Sequence, residues 1–134
     1  MDLDLVTGKI IGAAMDVHRA LGPGLLESAY ESCLALELAG LGLPFLRQHP
    51  IPLFYKGLKA DCAYRVDFLV ADAVIVEVKS IAAFDPIFTA QAITYLKLTR
   101  CPIALLINFN VPFLRQGIKR VVLGYQDRKP GRGR

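Results

Sequence analysis

Arg65-Val66-Asp67-Phe68-Leu69-Val70, then Ala71-Asp72-Ala73, then Val74-Ile75-Val76-Glu77-Val78-Lys79 is the stretch on which the fold turns. In both runs the even positions, Val66, Phe68, Val70, Val74, Val76 and Val78, are apolar. A period of two predicts strands with one face on a core. The odd positions carry Arg65, Asp67, Glu77 and Lys79, which sets those charges on the opposite face. A chain reversal about Asp72 places Asp67 directly across from Glu77, with Cβ atoms roughly 4.5–5.5 Å apart. Two carboxylates that close repel unless something positive lies between them, and a divalent metal is the usual answer. Lys79, two residues beyond Glu77, shares their face. A solvated charged face on an ordinary hairpin has the same pattern, so the rest of the chain decides between the two.

At 134 residues the chain is expected to be one domain, residues 1–124, with a basic and disordered tail at 125–134. The net charge of +4 belongs to that tail. Four of the 16 Lys and Arg (Arg128, Lys129, Arg132 and Arg134) lie in the last seven residues, leaving 12 against 12 acidic ones. The body is therefore close to neutral. Hydrophobic content is 54%, yet no apolar run approaches the ~18 residues that span a bilayer, so no membrane partner is expected. The acidic start, Met1-Asp2-Leu3-Asp4-Leu5, lacks the pattern of a secretory leader. Cys33, Cys62 and Cys101 are odd in number and not closely paired. They imply neither a disulfide framework nor a zinc site, and a reducing cytoplasm fits them.

Val6, Ile10, Ala13, Val17 and Leu21 recur at helical spacing and predict a helix over 4–20, ended by Gly22-Pro23-Gly24. A second helix is expected over 25–41. Residues 44–55 read as extended, with Pro50 and Pro52 marking an edge or bulge. Lys56-Gly57 reads as a turn, and residues 59–70 and 74–80 as the next two strands. Asp85-Pro86 predicts the cap and first turn of a third helix, to about Thr99. Ile103–Asn108 is wholly apolar up to its last residue and reads as a buried strand. Residues 117–123 give a further strand or a return segment. The fold class is therefore α/β, with a mixed central β-sheet flanked by helices.

Four short motifs accompany that order. Gly24-Leu25-Leu26-Glu27-Ser28-Ala29-Tyr30 is a G-x-x-E-x-x-Y element; Tyr64-Arg65-Val66-Asp67, Glu77-Val78-Lys79 and Gln91-Ala92-Ile93-Thr94-Tyr95 follow it. Together, from about Ile10 to Val122, they resemble the GxxExxY protein family, a branch of the PD-(D/E)XK nuclease superfamily with its restriction-endonuclease-like core. The resemblance implies Glu27, Asp67 and Glu77 as ligands of Mg2+ (or Mn2+), completed by the Val78 backbone carbonyl. It implies Lys79 as the catalytic lysine, acting with Asp67 and Glu77. Gln91 and Tyr95, four apart on one helix face, match a Q-x-x-x-Y element that contacts Lys79 or substrate phosphate. The proline before the superfamily aspartate is Val66 here, a departure that leaves the carboxylate in place.

Arg65 is a second candidate for gripping phosphate. Gly24 is expected to serve the turn between helices, and Tyr30 to pack with its hydroxyl bonded. His18, at the end of the first helix, is either structural or part of the metal site. Glu31, one turn past Glu27, reads as a surface carboxylate. The function expected is Mg2+-dependent hydrolysis of phosphodiester bonds, in DNA before RNA, with homodimerisation by analogy. The alternative is a non-catalytic nucleic-acid-binding or assembly module on the same scaffold.

Overall fold

The computed structural model describes residues 2–61 and 64–123; the expected tail lies outside them. Asp2 starts α1 (Leu3–Leu21) by accepting the Asp4 and Leu5 amides at 3.0 and 3.3 Å. Those are donors that a first helical turn leaves open. Gly22, at φ 69°, ends it, and the turn leads into α2 (Glu27–Gly40). Asp85 caps α3 (Pro86–Thr99) through the Ile87 amide at 2.9 Å, with Pro86 in the first turn.

Five strands make the main sheet: β1 (Phe45–Ile51), β4 (Tyr64–Val70), β5 (Val74–Lys79), β6 (Ile103–Asn108) and β7 (Ile118–Val122). Between β1 and β4, β2 (Phe54–Tyr55) and β3 (Leu58–Lys59) form a separate two-stranded hairpin. The sheet order is β1-β4-β5-β6-β7. β5 and β6 are parallel and the other neighbours antiparallel. A parallel pair needs a crossover, which α3 provides. α1 and α2 cover one face of the sheet and α3 the other. The result is an α/β fold with a mixed sheet flanked by helices, and β1, which contains Pro50, takes an edge.

Three expectations are corrected. The hairpin is covered on both faces. Phe68, Val70, Val74, Val76 and Val78 pack toward α1 and α2, while Leu69 and Ile75 pack toward α3. Val66 does not follow its even-numbered partners; it joins the α3 side, so β4 changes sides at Asp67. The single strand expected over 59–70 is two. β3 closes around Lys56 and Gly57, both left-handed at φ 50° and 80°, and β4 starts only at Tyr64.

Behind β6, a short 3₁₀ turn (Leu114–Gly117) runs close to the Asn108 carbonyl. A Cβ on Gly117 would sit 2.0 Å from that oxygen, whereas one on Gly12 in α1 meets nothing within 4 Å. Gly117→Ala is therefore expected to cost about 1–3 kcal/mol through forced backbone shifts. Gly12→Ala is expected to stabilise by roughly 0.5–1 kcal/mol, since alanine is the better helix former. Urea unfolding of both variants checks the pair; equal effects would contradict the close approach at Gly117.

Candidate functional site

β4 and β5 are paired from Val70↔Val74 to Phe68↔Val76, a register symmetric about residue 72, and then they part. At the fork two carboxylates take over from the backbone ladder. The Asp67 amide donates to Glu77 Oε2 at 2.8 Å, and the Val78 amide donates to Asp67 Oδ2 at 2.7 Å. Each strand thus gives an N–H to a carboxyl oxygen on the other, a stronger bond than a neutral one where that carboxyl is ionised. Asp67 and Glu77 are brought together, but across the parting strands through backbone amides and not as the directly opposed ladder pair that the spacing predicts.

Glu77 is only 6% exposed. Burial, and next the Asp67 carboxylate, push its pKa up to about 7, against the pull of the Asp67 amide and the Lys79 ammonium. Asp67 is raised too, chiefly by burial, while the Val78 amide and the Gln48 side chain hold it back. Tyr95 lies on the α3 side of the same pair. Burial and then the Glu77 charge raise its phenol, which keeps the hydroxyl protonated and able to donate at neutral pH. Lys79 places Nζ 4.7 Å from the centre of the Phe88 ring, a cation–π contact from α3.

The spacing of G-x-x-E-x-x-Y has a mechanical reason. Gly24 takes φ 99° in the turn between α1 and α2, a conformation glycine adopts without strain. Three residues on, Glu27 opens α2 and its Oε2 accepts the Ser80 amide at 3.2 Å, just past Lys79. Tyr30, almost one turn further, stacks on Phe109 with ring centres 4.5 Å apart. Its hydroxyl donates to the Gly22 carbonyl at 2.5 Å and accepts the Leu25 amide at 3.1 Å. Ser80 Oγ donates to the Leu25 carbonyl at 2.6 Å. Turn, helix start and strand end are therefore tied at one corner.

Other expected residues are placed as follows. Gln91 and Tyr95 line a groove of about 280 Å3 with Tyr64 and Thr94, and the Tyr64 ring meets Tyr95 edge-on at 6.1 Å. Among the described residues Gln91 makes no hydrogen bond to Lys79. Arg65 is exposed on β4; with Tyr64 and Val66 both turned toward α3, alternation sets it on the other face of the strand, not on the face of Lys79 as expected. His18 is engaged elsewhere: Nε2 donates to the Val111 carbonyl at 2.8 Å and the ring leans on Phe109.

Two residues beside the fork were given no site role from the sequence. Gln48 Nε2 donates to Asp67 Oδ1 at 3.0 Å and to Glu31 Oε1 at 2.9 Å. Glu31, expected as a surface carboxylate, is instead held between Gln48 and Arg47, whose Nη2 is 3.0 Å from Oε2. Position four past Glu27 was the available sign for Glu31. Gln48 lies outside every motif and gave none.

Among the described residues no three His, Cys, Asp or Glu side chains converge as a ready-made metal cage; Glu27 bonds Ser80 rather than meeting the other two carboxylates. The donors nevertheless suit a hard cation. Buried carboxylate oxygens whose charge is resisted by burial and by each other are stabilised as ions by a divalent ion that prefers oxygen.

A family model described as the PD-(D/E)XK nuclease superfamily matches residues 4–121. No curated protein and no solved structure matches the chain.

Between pH about 4.5 and about 7 the folded protein keeps a proton on Glu77 that the unfolded chain has released. Stability therefore falls as pH rises through that window and levels off above it. Without metal, urea unfolding should show a loss on the order of 3 kcal/mol from this group. Glu77→Gln, which keeps an acceptor for the Asp67 amide, should remove most of that slope. A wild-type profile no steeper than the variant's would contradict the burial of an ionisable Glu77.

Proposed function

Because the chain belongs to the PD-(D/E)XK nuclease superfamily, we propose that it is a Mg2+-dependent nuclease that hydrolyses phosphodiester bonds, in DNA before RNA. We place it in the GxxExxY branch on Gly24, Glu27 and Tyr30. The superfamily generally uses divalent metals. The observation that carries the reading is the fork itself, where Asp67 and Glu77 are held against each other by strand amides with Lys79 two residues on.

In this reading Glu27, Asp67 and Glu77, with the Val78 carbonyl, hold Mg2+ or Mn2+. The ion, when bound, supplies positive charge to a phosphoryl oxygen and acidifies a water. The protein does the rest. Asp67 and Glu77 are preorganised, since the amides that fix them belong to strands buried on both faces. Lys79 steadies the attacking water and the extra negative charge that builds on phosphorus. Phe88 limits where its ammonium can go. Tyr95, protonated, donates to a phosphate oxygen, and Gln91 contacts the flanking backbone. Water attacks phosphorus and releases a proton to solvent, the bond to the leaving oxygen breaks, and that oxygen takes up a proton from solvent. A cytoplasmic setting suits the free thiols Cys33 and Cys101, and no helix among the described residues is long and apolar enough to cross a membrane.

Cleavage of single- and double-stranded DNA and RNA in Mg2+, Mn2+ or EDTA tests the proposal. Metal-dependent cleavage is expected in the wild type, reduced roughly 100-fold or more in Glu77→Ala and in Lys79→Ala. No cleavage of any substrate would instead favour the binding or assembly module. Activity that survives both substitutions would move the chemistry to another site.

A further inference from the structure

We propose that Gln48 is a positioning residue for Asp67, fixing the carboxylate so that it can receive the cation; this rests on the nuclease reading above. The backbone carries the first observation. β1 and β4 keep one register on either side of residue 48, with Arg47↔Phe68 and His49↔Val66. Gln48 between them has φ 48°, a left-handed conformation that residues with a Cβ rarely adopt, asparagine and aspartate excepted. In a regular pleat Arg47 and Gln48 point to opposite faces. Here both reach the same carboxylate, Glu31. The left-handed residue is what turns the second side chain toward α2.

The chemistry carries the second. Glu31 and Asp67 offer only acceptors when ionised, so the Gln48 atom facing both is the NH2 group. One nitrogen gives a hydrogen to each carboxylate and separates two like charges without adding one of its own. Asp67 then has both oxygens fixed, Oδ1 by Gln48 and Oδ2 by the Val78 amide, with a further lone pair on each left for a cation. Arg47 anchors the far end through Glu31 at 3.0 and 3.3 Å. Glycine at 48 would relieve the backbone and remove the clamp.

The test uses the full chain with Gln48→Gly and Gln48→Asn, each also in an Asp67→Asn background. Asparagine tolerates the left-handed backbone but is a methylene too short to span both carboxylates. Mn2+ binding is read from the electron paramagnetic resonance of the free ion, alongside kcat and KM on an oligonucleotide and the urea midpoint. Both variants should bind Mn2+ about tenfold or more weakly, as loss of a group that orients a metal ligand does. kcat should fall while KM stays, and the glycine variant's urea midpoint should match or exceed the wild type's. In the Asp67→Asn background the loss should shrink to less than about twofold, because coupled residues are not additive. Wild-type Mn2+ affinity in both Gln48 variants, or an undiminished loss without Asp67, overturns the role of Gln48 alone. A wild type that neither binds Mn2+ nor cleaves overturns the nuclease reading and this inference with it.

Discussion

Two carboxylates, each bonded to the backbone of the other's strand, are the constraint on which the rest of the structure depends. Where β4 and β5 part, a buried amide on each side loses its ladder partner. Such a group left unsatisfied costs about 1–3 kcal/mol. Asp67 and Glu77 satisfy both amides, and so become fixed in a place where their own charge is resisted. The protein thus keeps a pair of carboxylates short of positive charge, held rigidly by hydrogen bonds.

The scaffold explains why that pair does not relax. β5 is buried from Val74 to Val78, and β6 along its whole length. β5 therefore cannot move without disturbing both cores. Beyond Lys79, the chain is tied on two sides. Asn108 binds the Ile81 amide and carbonyl at 3.1 and 3.0 Å, and the Ser80 bonds to Leu25 and Glu27 close the other side. Gly117 allows the 3₁₀ turn to back Asn108, and Tyr30 locks the turn before α2 against Phe109. A break at any of these points would reach Lys79 and the fork through one or two residues.

Much of this was legible in the sequence, for physical reasons. The reversal about Asp72 followed from symmetric runs of alternating residues, and the α3 start from Asp85-Pro86, where cap and fixed φ coincide. Alternation showed less about the faces. Leu69 and Ile75 were the sign that the odd positions also meet a core, but charges at Asp67 and Glu77 masked it. The change of sides between Val66 and Phe68 falls where β4 leaves β5, a tertiary effect without a local signature. Gln48 was illegible for a similar reason, because neither its left-handed backbone nor the two carboxylates it meets, on α2 and β4, leave a mark in the residues around it. The G-x-x-E-x-x-Y spacing was visible as a motif, while its reason, a tied corner between turn, helix and strand, lies in contacts between residues far apart in the sequence.

On the proposed function, the fork between β4 and β5 holds a divalent cation. A crystal of the wild-type protein grown with Mn2+, measured at the manganese absorption edge, tests it most directly. The account predicts an anomalous peak about 2.1 Å from carboxylate oxygens of both Asp67 and Glu77, the distance of small divalent ions from oxygen ligands. Manganese bound elsewhere on the protein, with no peak at the fork, would contradict it.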